Sequence, residues 1–299
     1  MTNHESKHHH YVPQVYMMKF SNSSETKGKK IHFFVSTYDK LDSSELYKNN
    51  VERICQKTKL YTVESCDPKR RESVENLYAT TIERDYNKFY KLITNEKITN
   101  ISLEERELII ITIISLYLRN VFWFNKFNDF WTDLIKRHDS PAPSNVYSEN
   151  GEILFPFETK TMDEIISSQK NENKQAFIQE HLQLTINLVK SHFNDIIIVD
   201  SNKSKIEFIT SDRPVIGTTV ASSFMLPIDS NYLVRIIPIS ENIGNNFQKI
   251  IRNFPITFNP RQYNVFQYEN AERLVIGKNM NDIRLSKDDY NEQIKTLLK

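Results

Sequence analysis

The 299-residue sequence is poor in glycine, with only five: Gly28, Gly151, Gly217, Gly244 and Gly277. No two of them lie close enough in the chain to form a glycine-rich loop. Phosphate-binding loops and dinucleotide-binding fingerprints need closely spaced glycines, because the backbone must approach the ligand. The sequence therefore excludes both motifs.

Cysteine and long apolar runs are also scarce. Cys55 and Cys66 are the two cysteines, and neither has a partner at zinc-site spacing, which is typical of reduced structural thiols in a cytosolic protein. The longest apolar run, Leu108–Leu118, is shorter than the roughly 20 residues that span a bilayer. The first residues lack the apolar segment of a signal peptide. We therefore expect a cytoplasmic protein without a membrane segment.

Positive and negative charges nearly cancel, with a formal net charge of +1. Such a chain has no overall attraction to nucleic acid or anionic lipid, so binding of nucleic acid would need a local patch. Hydrophobic residues make up 39% and charged residues 26% of the chain, which is ordinary for a globular protein. We expect residues 1–299 to form a single domain, with a loop or small hairpin at 138–160 between two helical parts.

The N-terminal segment combines His8, His9 and His10 with an aromatic and apolar stretch that ends at Phe20. Neighbouring histidines can bind a metal or act as a base near neutral pH, but a flexible or purely structural role is an equal alternative. Pro13 favours an ordered backbone. We therefore expect the segment to dock on the core, with His9 and His10 in a site and His8 in solvent.

Apolar residues recur at helical spacing in the first two thirds of the chain. They predict helices at Ser73–Ile93 with a start near Asp67, from the capping box at Ser102 to about Lys136, and at Thr161–Phe193. The second should be the central helix, because its middle is apolar nearly all round. Its aromatic residues after Arg119 are predicted to be core, although stacking on a base is the functional alternative.

Outside these predicted helices, runs of β-branched residues are frequent. They predict strands at Ile31–Tyr38, Ile196–Val199, Lys205–Ile209, Phe224–Ile228 and Tyr232–Ile237. The second and third of these are expected to form a hairpin, and Asn264–Ile276 is expected to be helical. The predicted fold class is α+β: a mainly helical core with a small, mostly antiparallel sheet formed by N-terminal and C-terminal-half strands.

Two further sets of residues can carry chemistry. Thr210, Ser211 and Asp212 follow a predicted strand, a place where functional side chains often lie, and an aspartate there can bind a metal or orient a histidine. An ordinary turn is the alternative. Glu83 and Arg119 lie on neighbouring predicted helices. They form either a structural buried pair or a site in which Arg119 binds phosphate.

These motifs together resemble the bacterial family known as domain of unknown function 4238. The resemblance is carried by His9–Phe20, Glu83, Arg119, Thr210–Pro214, Met225–Ile228 and Asn270–Ala271. The proline that usually follows the arginine is missing, since Asn120 follows instead, and the helix is expected to continue. The family name implies no activity.

A local resemblance concerns nucleases. His9–Pro13 is similar to the start of some HNH-type nuclease toxins, in which one histidine is a base and the other helps to hold a metal. Such a site also needs an asparagine and a further histidine, for which Asn22 and His32 are the nearby candidates. The helix that should follow is not evident.

The leading hypothesis is a phosphodiester hydrolase, most simply a nuclease, in bacterial stress or phage defence. The residues predicted to take part in catalysis are His9, His10, Asp212 and Glu83. Those predicted to bind substrate are Arg119, Gln14, Thr210 and Ser211. His10 and Asp212 are the predicted ligands of a divalent metal (Mn, Zn or Mg), and the partners are nucleic acid or a protein. The alternative is a non-enzymatic sensor or partner-binding module in which the same residues are structural.

Overall fold

The computed structural model describes residues 8–42, 46–63, 67–137, 146–147, 150, 153–155, 161–191, 194–201, 204–217, 223–238, 249–252 and 259–297. The helices are α1 (Gln14–Met17), α2 (Pro68–Arg71), α3 (Ser73–Tyr78), α4 (Tyr86–Thr94), α5 (Leu103–Leu118), α6 (Val121–Arg137), α7 (Met162–Ser191), α8 (Pro260–Asn270) and α9 (Met280–Leu297). The strands are β1 (His8–His10), β2 (Ser23–Lys27), β3 (Lys30–Asp39), β4 (Leu46–Asn50), β5 (Gln56–Thr58), β6 (Val146–Tyr147), β7 (Ile153–Phe155), β8 (Asn194–Asp200), β9 (Thr210–Ser211), β10 (Phe224–Pro227), β11 (Tyr232–Pro238), β12 (Ile250–Arg252) and β13 (Leu274–Gly277).

The described strands form more than one sheet. In a five-stranded sheet, β3 pairs antiparallel with β2, β4 and β13, and β13 also pairs with β9. A four-stranded sheet has the order β10–β11–β8–β12, with only β12 parallel to its neighbour. The pairs β1–β5 and β6–β7 are separate. The α+β class is confirmed, whereas the expectation of one small sheet is wrong. Strands from both ends of the chain do combine, in the sheet of β3 and β13.

Helix α5 is the central helix, as predicted. Ser102 caps it with a capping box, in which its hydroxyl accepts the Glu105 N–H and the Glu105 carboxylate accepts the Ser102 N–H. Ile109 and Ile113 are fully buried and belong to the main hydrophobic cluster. Because helix α5 is buried nearly all round, it fixes the position of Arg119 at its end.

The predicted continuation of this helix to Lys136 is wrong, because α5 and α6 are bent by 60° at residues 119–120. Asn120 starts a new helix, since its side-chain oxygen accepts the Trp123 N–H at 3.1 Å while its amide donates to the Tyr117 carbonyl. An asparagine at this position is a good helix N-cap, so a proline is not needed to break the helix. Beyond the bend, Phe124 is the only buried residue of α6. Trp123 and Phe127 are partly buried and pack against the hydrophobic clusters, whereas Phe130 is exposed and is not core as the sequence predicts.

No single helix in the described part of the chain has the length and apolar character needed to cross a membrane. Helices α5 and α6 meet the criterion only as a bent pair, by length and composition.

The second half departs from prediction at two places. Residues 205–209 form no strand, because the Phe208 N–H donates to the Ser230 carbonyl and the Ile209 N–H to the Asn264 side chain. The predicted helix at Asn264–Ile276 is α8 followed by β13. Helix α8 begins early, at the Asn259 N-cap, and residues 274–277 join β3 instead. The hairpin within the 138–160 loop is confirmed by the pairing of β6 with β7; the remaining residues of that loop, other than residue 150, lie outside the described ranges, as does Cys66.

Candidate functional site

Arg119 lies at the centre of the candidate site and is fully buried. Its Nη1 donates to the Glu83 carboxylate at 2.8 Å, and its Nη2 donates to the His10 carbonyl at 2.6 Å. The guanidinium also lies over the rings of Tyr78 and Tyr61, at 4.5 and 5.8 Å from their centroids. The Tyr61 hydroxyl donates to the Arg119 carbonyl. One side chain thus joins the N-terminal strand, the helix of Glu83 and the end of α5.

These contacts decide between the two readings of Arg119. The ion pair with Glu83 is formed, but the arginine side chain has no exposed surface. A phosphate in solvent cannot reach it. This burial does not fit the predicted role as a phosphate clamp, and the contacts place Arg119 between Glu83 and the His10 backbone.

A π-helical turn at Ala79–Glu83 brings a second carboxylate to Arg119. In a regular α-helix, Glu75 and Glu83 would lie roughly 80° apart around the axis. A π-helical turn absorbs one extra residue, so the angle between them falls to roughly 20°. Both carboxylates act electrostatically on Arg119. Such turns are frequent at functional sites.

Glu75 is the residue that sequence reasoning missed. Burial raises the pKa of Glu75, Arg119 opposes this effect and the charge of Glu83 adds to it. Its Oε2 is buried and has no hydrogen-bond partner among the described residues. Two neighbouring carboxyl groups in unequal environments tend to separate into a proton donor and a carboxylate. Here Glu83 is the partner that is paired with Arg119, and Glu75 is the group biased towards the protonated form.

His10 is half-buried at the edge of this cluster. Its Nε2 lies 3.3 Å from the Glu52 carbonyl, and the Gln14 amide lies 3.3 Å from Nδ1. The tautomer with the proton on Nε2 satisfies both contacts. Burial lowers the pKa of His10; the hydrogen bond to the Glu52 carbonyl opposes this, and Arg119 lowers the pKa further. The imidazole is therefore biased towards the neutral form, in which the Nδ1 lone pair faces the Gln14 amide.

The other two histidines of β1 occupy different environments. His9 is fully buried, its Nδ1 accepts the Tyr61 N–H at 2.9 Å and its ring stacks on Tyr61. A ring without solvent contact cannot activate water, so the predicted catalytic role of His9 is wrong and its role is to hold Tyr61. His8 is exposed, as predicted.

The segment that follows these histidines is docked, which confirms the prediction for the N-terminal anchor. Val12, Tyr16, Met17 and Phe20 are all fully buried. The Tyr16 hydroxyl donates to the Pro227 carbonyl and lies 2.6 Å from the Thr210 hydroxyl.

Asp212 is buried, and its charge acts on Tyr11, the residue that follows His10. Its two carboxylate oxygens accept three consecutive backbone N–H groups, those of Glu272, Arg273 and Leu274, at 2.8–3.1 Å. It therefore fixes the turn between α8 and β13. Among the described residues, no hydrogen bond or ion pair joins Asp212 to His10, and no three His, Cys, Asp or Glu side chains form a metal-binding group. The described contacts of Asp212 are those of a structural turn, and they give the predicted metal pair of His10 and Asp212 no support.

Thr210 and Ser211 are fully buried. The Ser211 hydroxyl donates to the Arg213 carbonyl and accepts the Gln267 amide. These contacts are structural, so the predicted substrate contacts of Thr210 and Ser211 do not fit. Gln14, beside His10, keeps its predicted place in the site.

The HNH arrangement is not formed by the described residues. The Asn22 amide donates to Ser36 and to the Lys278 carbonyl, whereas His32 pairs with Glu52. Neither side chain contacts His9 or His10.

A comparison with protein families finds a family model that matches residues 8–281, a range that includes every residue of the cluster. The chain belongs to the family described as Protein of unknown function (DUF4238). The resemblance drawn from the sequence is confirmed. No curated protein and no solved structure matches the chain.

Replacement of the buried arginine should be the most damaging change in this DUF4238 site. We expect Arg119→Met to lower the free energy of unfolding by about 3–5 kcal/mol, because it leaves the Glu83 carboxylate and the His10 carbonyl without their donor. Urea denaturation measures this loss. The matched control is Arg84→Ala, since Arg84 is exposed and its ion pair among the described residues is with Asp85; it should leave stability nearly unchanged. Equal effects of the two changes would contradict the role of Arg119.

Asp212 should make stability depend on pH. Burial raises its pKa to about 6, against the opposing effect of the three N–H donors, whereas an unfolded aspartate has a pKa of about 3.9. The folded protein therefore binds the extra proton. As pH rises from about 4 to about 6, its free energy of unfolding should fall by about 3 kcal/mol through this group.

The comparison is with Asp212→Asn, which has no proton to release. We expect the stability of wild type minus that of Asp212→Asn to decrease over this pH window, measured by urea denaturation at both ends. A difference that stays constant or grows with pH would show that the N–H donors outweigh burial.

Proposed function

We propose that this chain is a phosphodiester hydrolase in which His10 is the general base. The observation that carries the proposal is a half-buried imidazole, biased towards the neutral form, beside the fully buried Arg119. Arg119 in turn is surrounded by the carboxyl groups of Glu83 and Glu75. A histidine that is neutral near pH 7 can take a proton from water. Clusters of groups with shifted pKa values are typical of functional sites.

In the proposed reaction, a water molecule replaces the Gln14 amide at Nδ1 of His10. Nδ1 takes a proton from this water, and the water oxygen forms a bond to phosphorus. The bond between phosphorus and the leaving oxygen breaks, and that oxygen receives the proton of Glu75. Glu83 remains a carboxylate through its pair with Arg119. Arg119 also fixes the His10 backbone, which keeps the base in one place during the reaction.

Cations beside β1 support an anionic substrate. Arg53, Lys57 and Lys59 belong to the segment that includes β5, the partner of β1, and all three are exposed. None forms a salt bridge with another described residue. Although the whole chain has almost no net charge, this segment provides a local positive patch for phosphate groups. Nucleic acid is therefore the proposed substrate class, and a role in bacterial stress or phage defence remains a prediction.

A second candidate is a non-enzymatic sensor or partner-binding module. It is favoured by the complete burial of Arg119 and by its bond to the His10 carbonyl, which together fasten the N-terminal segment to the core. In that case the cluster acts only on stability. Replacement of the His10 side chain, which leaves its carbonyl in place, would then have no effect on any reaction.

The two histidines of β1 that lie outside the core allow a matched test. We expect His10→Gln to lower the rate of hydrolysis of single-stranded RNA, DNA or bis(p-nitrophenyl) phosphate by about 10²- to 10⁴-fold, because the base is lost. His8→Gln should leave the rate unchanged, since His8 is exposed and lies outside the cluster. Both proteins should retain wild-type thermal stability within a few degrees. Hydrolysis that persists in His10→Gln would refute His10 as the base, whereas the absence of hydrolysis in wild type would refute the enzyme and leave the binding module.

A further inference from the structure

Arg213 has an unusually well-fixed backbone. Its carbonyl accepts three side-chain donors, the Ser211 hydroxyl at 2.9 Å, the Gln267 amide at 2.9 Å and the Asn270 amide at 2.7 Å. Its N–H donates to the Ser211 oxygen at 3.0 Å. The preceding residue, Asp212, is held by the three backbone N–H groups described above. The side chain of Arg213 therefore projects from a rigid support.

The guanidinium of Arg213 is not committed to a partner of its own. It lies 3.8 Å from the ring centroid of Phe122 on α6, and its Nε has no hydrogen-bond partner among the described residues. The nearest carboxylates act on it only electrostatically: Asp212 already accepts three N–H groups, and Glu272 is exposed and forms no described salt bridge with it. The arginine is half-buried, so part of it faces solvent.

A second cation shares the same ring. Lys126 lies one helical turn after Phe122 and places its Nζ 5.6 Å from the ring centroid. It is exposed and makes no salt bridge with any described residue. Two cations near one ring repel each other, and a bound anion would relieve this repulsion. A planar guanidinium that is stacked on an aromatic ring keeps its edge free for bidentate binding of phosphate.

Aromatic surface lies beside these cations. Phe122 and Trp123 are each only half-buried, and their rings meet edge to face at 5.3 Å. Half-exposed aromatic rings next to basic side chains are the usual means of binding single-stranded nucleic acid, because a base stacks on the ring while a cation holds the phosphate. These two residues directly follow the bend at Asn120, and Trp123 also packs on the main hydrophobic cluster.

We propose that Arg213, Lys126, Phe122 and Trp123 form a binding site for single-stranded nucleic acid, with a phosphate on the two cations and a base on the aromatic rings. The site goes beyond the proposed hydrolase, because the strand binds there whether or not it is cleaved. It also moves the role of phosphate recognition from the buried Arg119 to the accessible Arg213.

The test measures binding without turnover. Full-length protein that carries His10→Gln is titrated into a fluorescent single-stranded oligonucleotide of about 12 nucleotides, and anisotropy gives the dissociation constant over a range of salt concentrations. Arg213→Ala in this background should weaken binding about tenfold and reduce the slope of log K against log salt by about one. Arg213→Lys should be intermediate, because it keeps the charge but not the planar fork. Phe122→Leu should weaken binding without a change in slope.

Arg284→Ala is the matched control, since Arg284 is an exposed arginine on α9, and it should change the dissociation constant less than about twofold. Circular dichroism checks that each variant is folded. If Arg213→Ala is unfolded, the binding of Arg213→Lys and Lys126→Ala decides the test, because both leave the Arg213 backbone contacts in place. Unchanged binding in the Arg213 variants, or no binding by the parent protein, would overturn the proposal. Inorganic phosphate that displaces the strand at equal concentration would also overturn it, by showing a site for small anions only.

Discussion

The buried charge of Arg119 is the constraint on which the rest of the site depends. A guanidinium without solvent contact must be neutralised and hydrogen-bonded, because an unpaired buried charge is strongly destabilising. Its neutralisation here requires Glu83 at 2.8 Å. The π-helical turn at Ala79–Glu83 presents that carboxylate and, beside it, Glu75. The π-helical turn and the raised pKa of Glu75 thus belong to the same arrangement around one arginine.

The same arginine connects the chain terminus to the core. Its bond to the His10 carbonyl and the burial of Val12 and Tyr16 hold β1 in one place. His10 then lies at the boundary between core and solvent, where burial lowers its pKa but does not prevent contact with water. Packing and chemistry are thus linked: the contacts that stabilise the N-terminal segment are those that create a neutral, positioned imidazole.

Much of this arrangement follows from sequence pattern. The capping box at Ser102 and the apolar middle of α5 predict the central helix, and the aromatic stretch after Pro13 predicts the docked terminus. The sequence allows two interpretations of Glu83 and Arg119, and the buried pair is one of them. Three features could not be predicted, because they depend on contacts distant in sequence or on a local irregularity. They are the π-helical turn that brings Glu75 to the site, the turn at residues 272–274 whose N–H groups bind Asp212, and the bend at Asn120. Val275 and Ile276 have helical spacing but join β3, because strand pairing overrides a local pattern.

The central claim is that the cluster holds His10 as a neutral base, and its most direct test is an NMR titration of the His10 ring in folded protein with isotope-labelled histidine. The account predicts a pKa below the ordinary histidine value of about 6.5, because burial and Arg119 both disfavour the proton. It also predicts a further decrease in Glu83→Gln, since Glu83 is one of the groups that raise the pKa of His10. A pKa at or above the ordinary value in wild type, or an increase in Glu83→Gln, would contradict it.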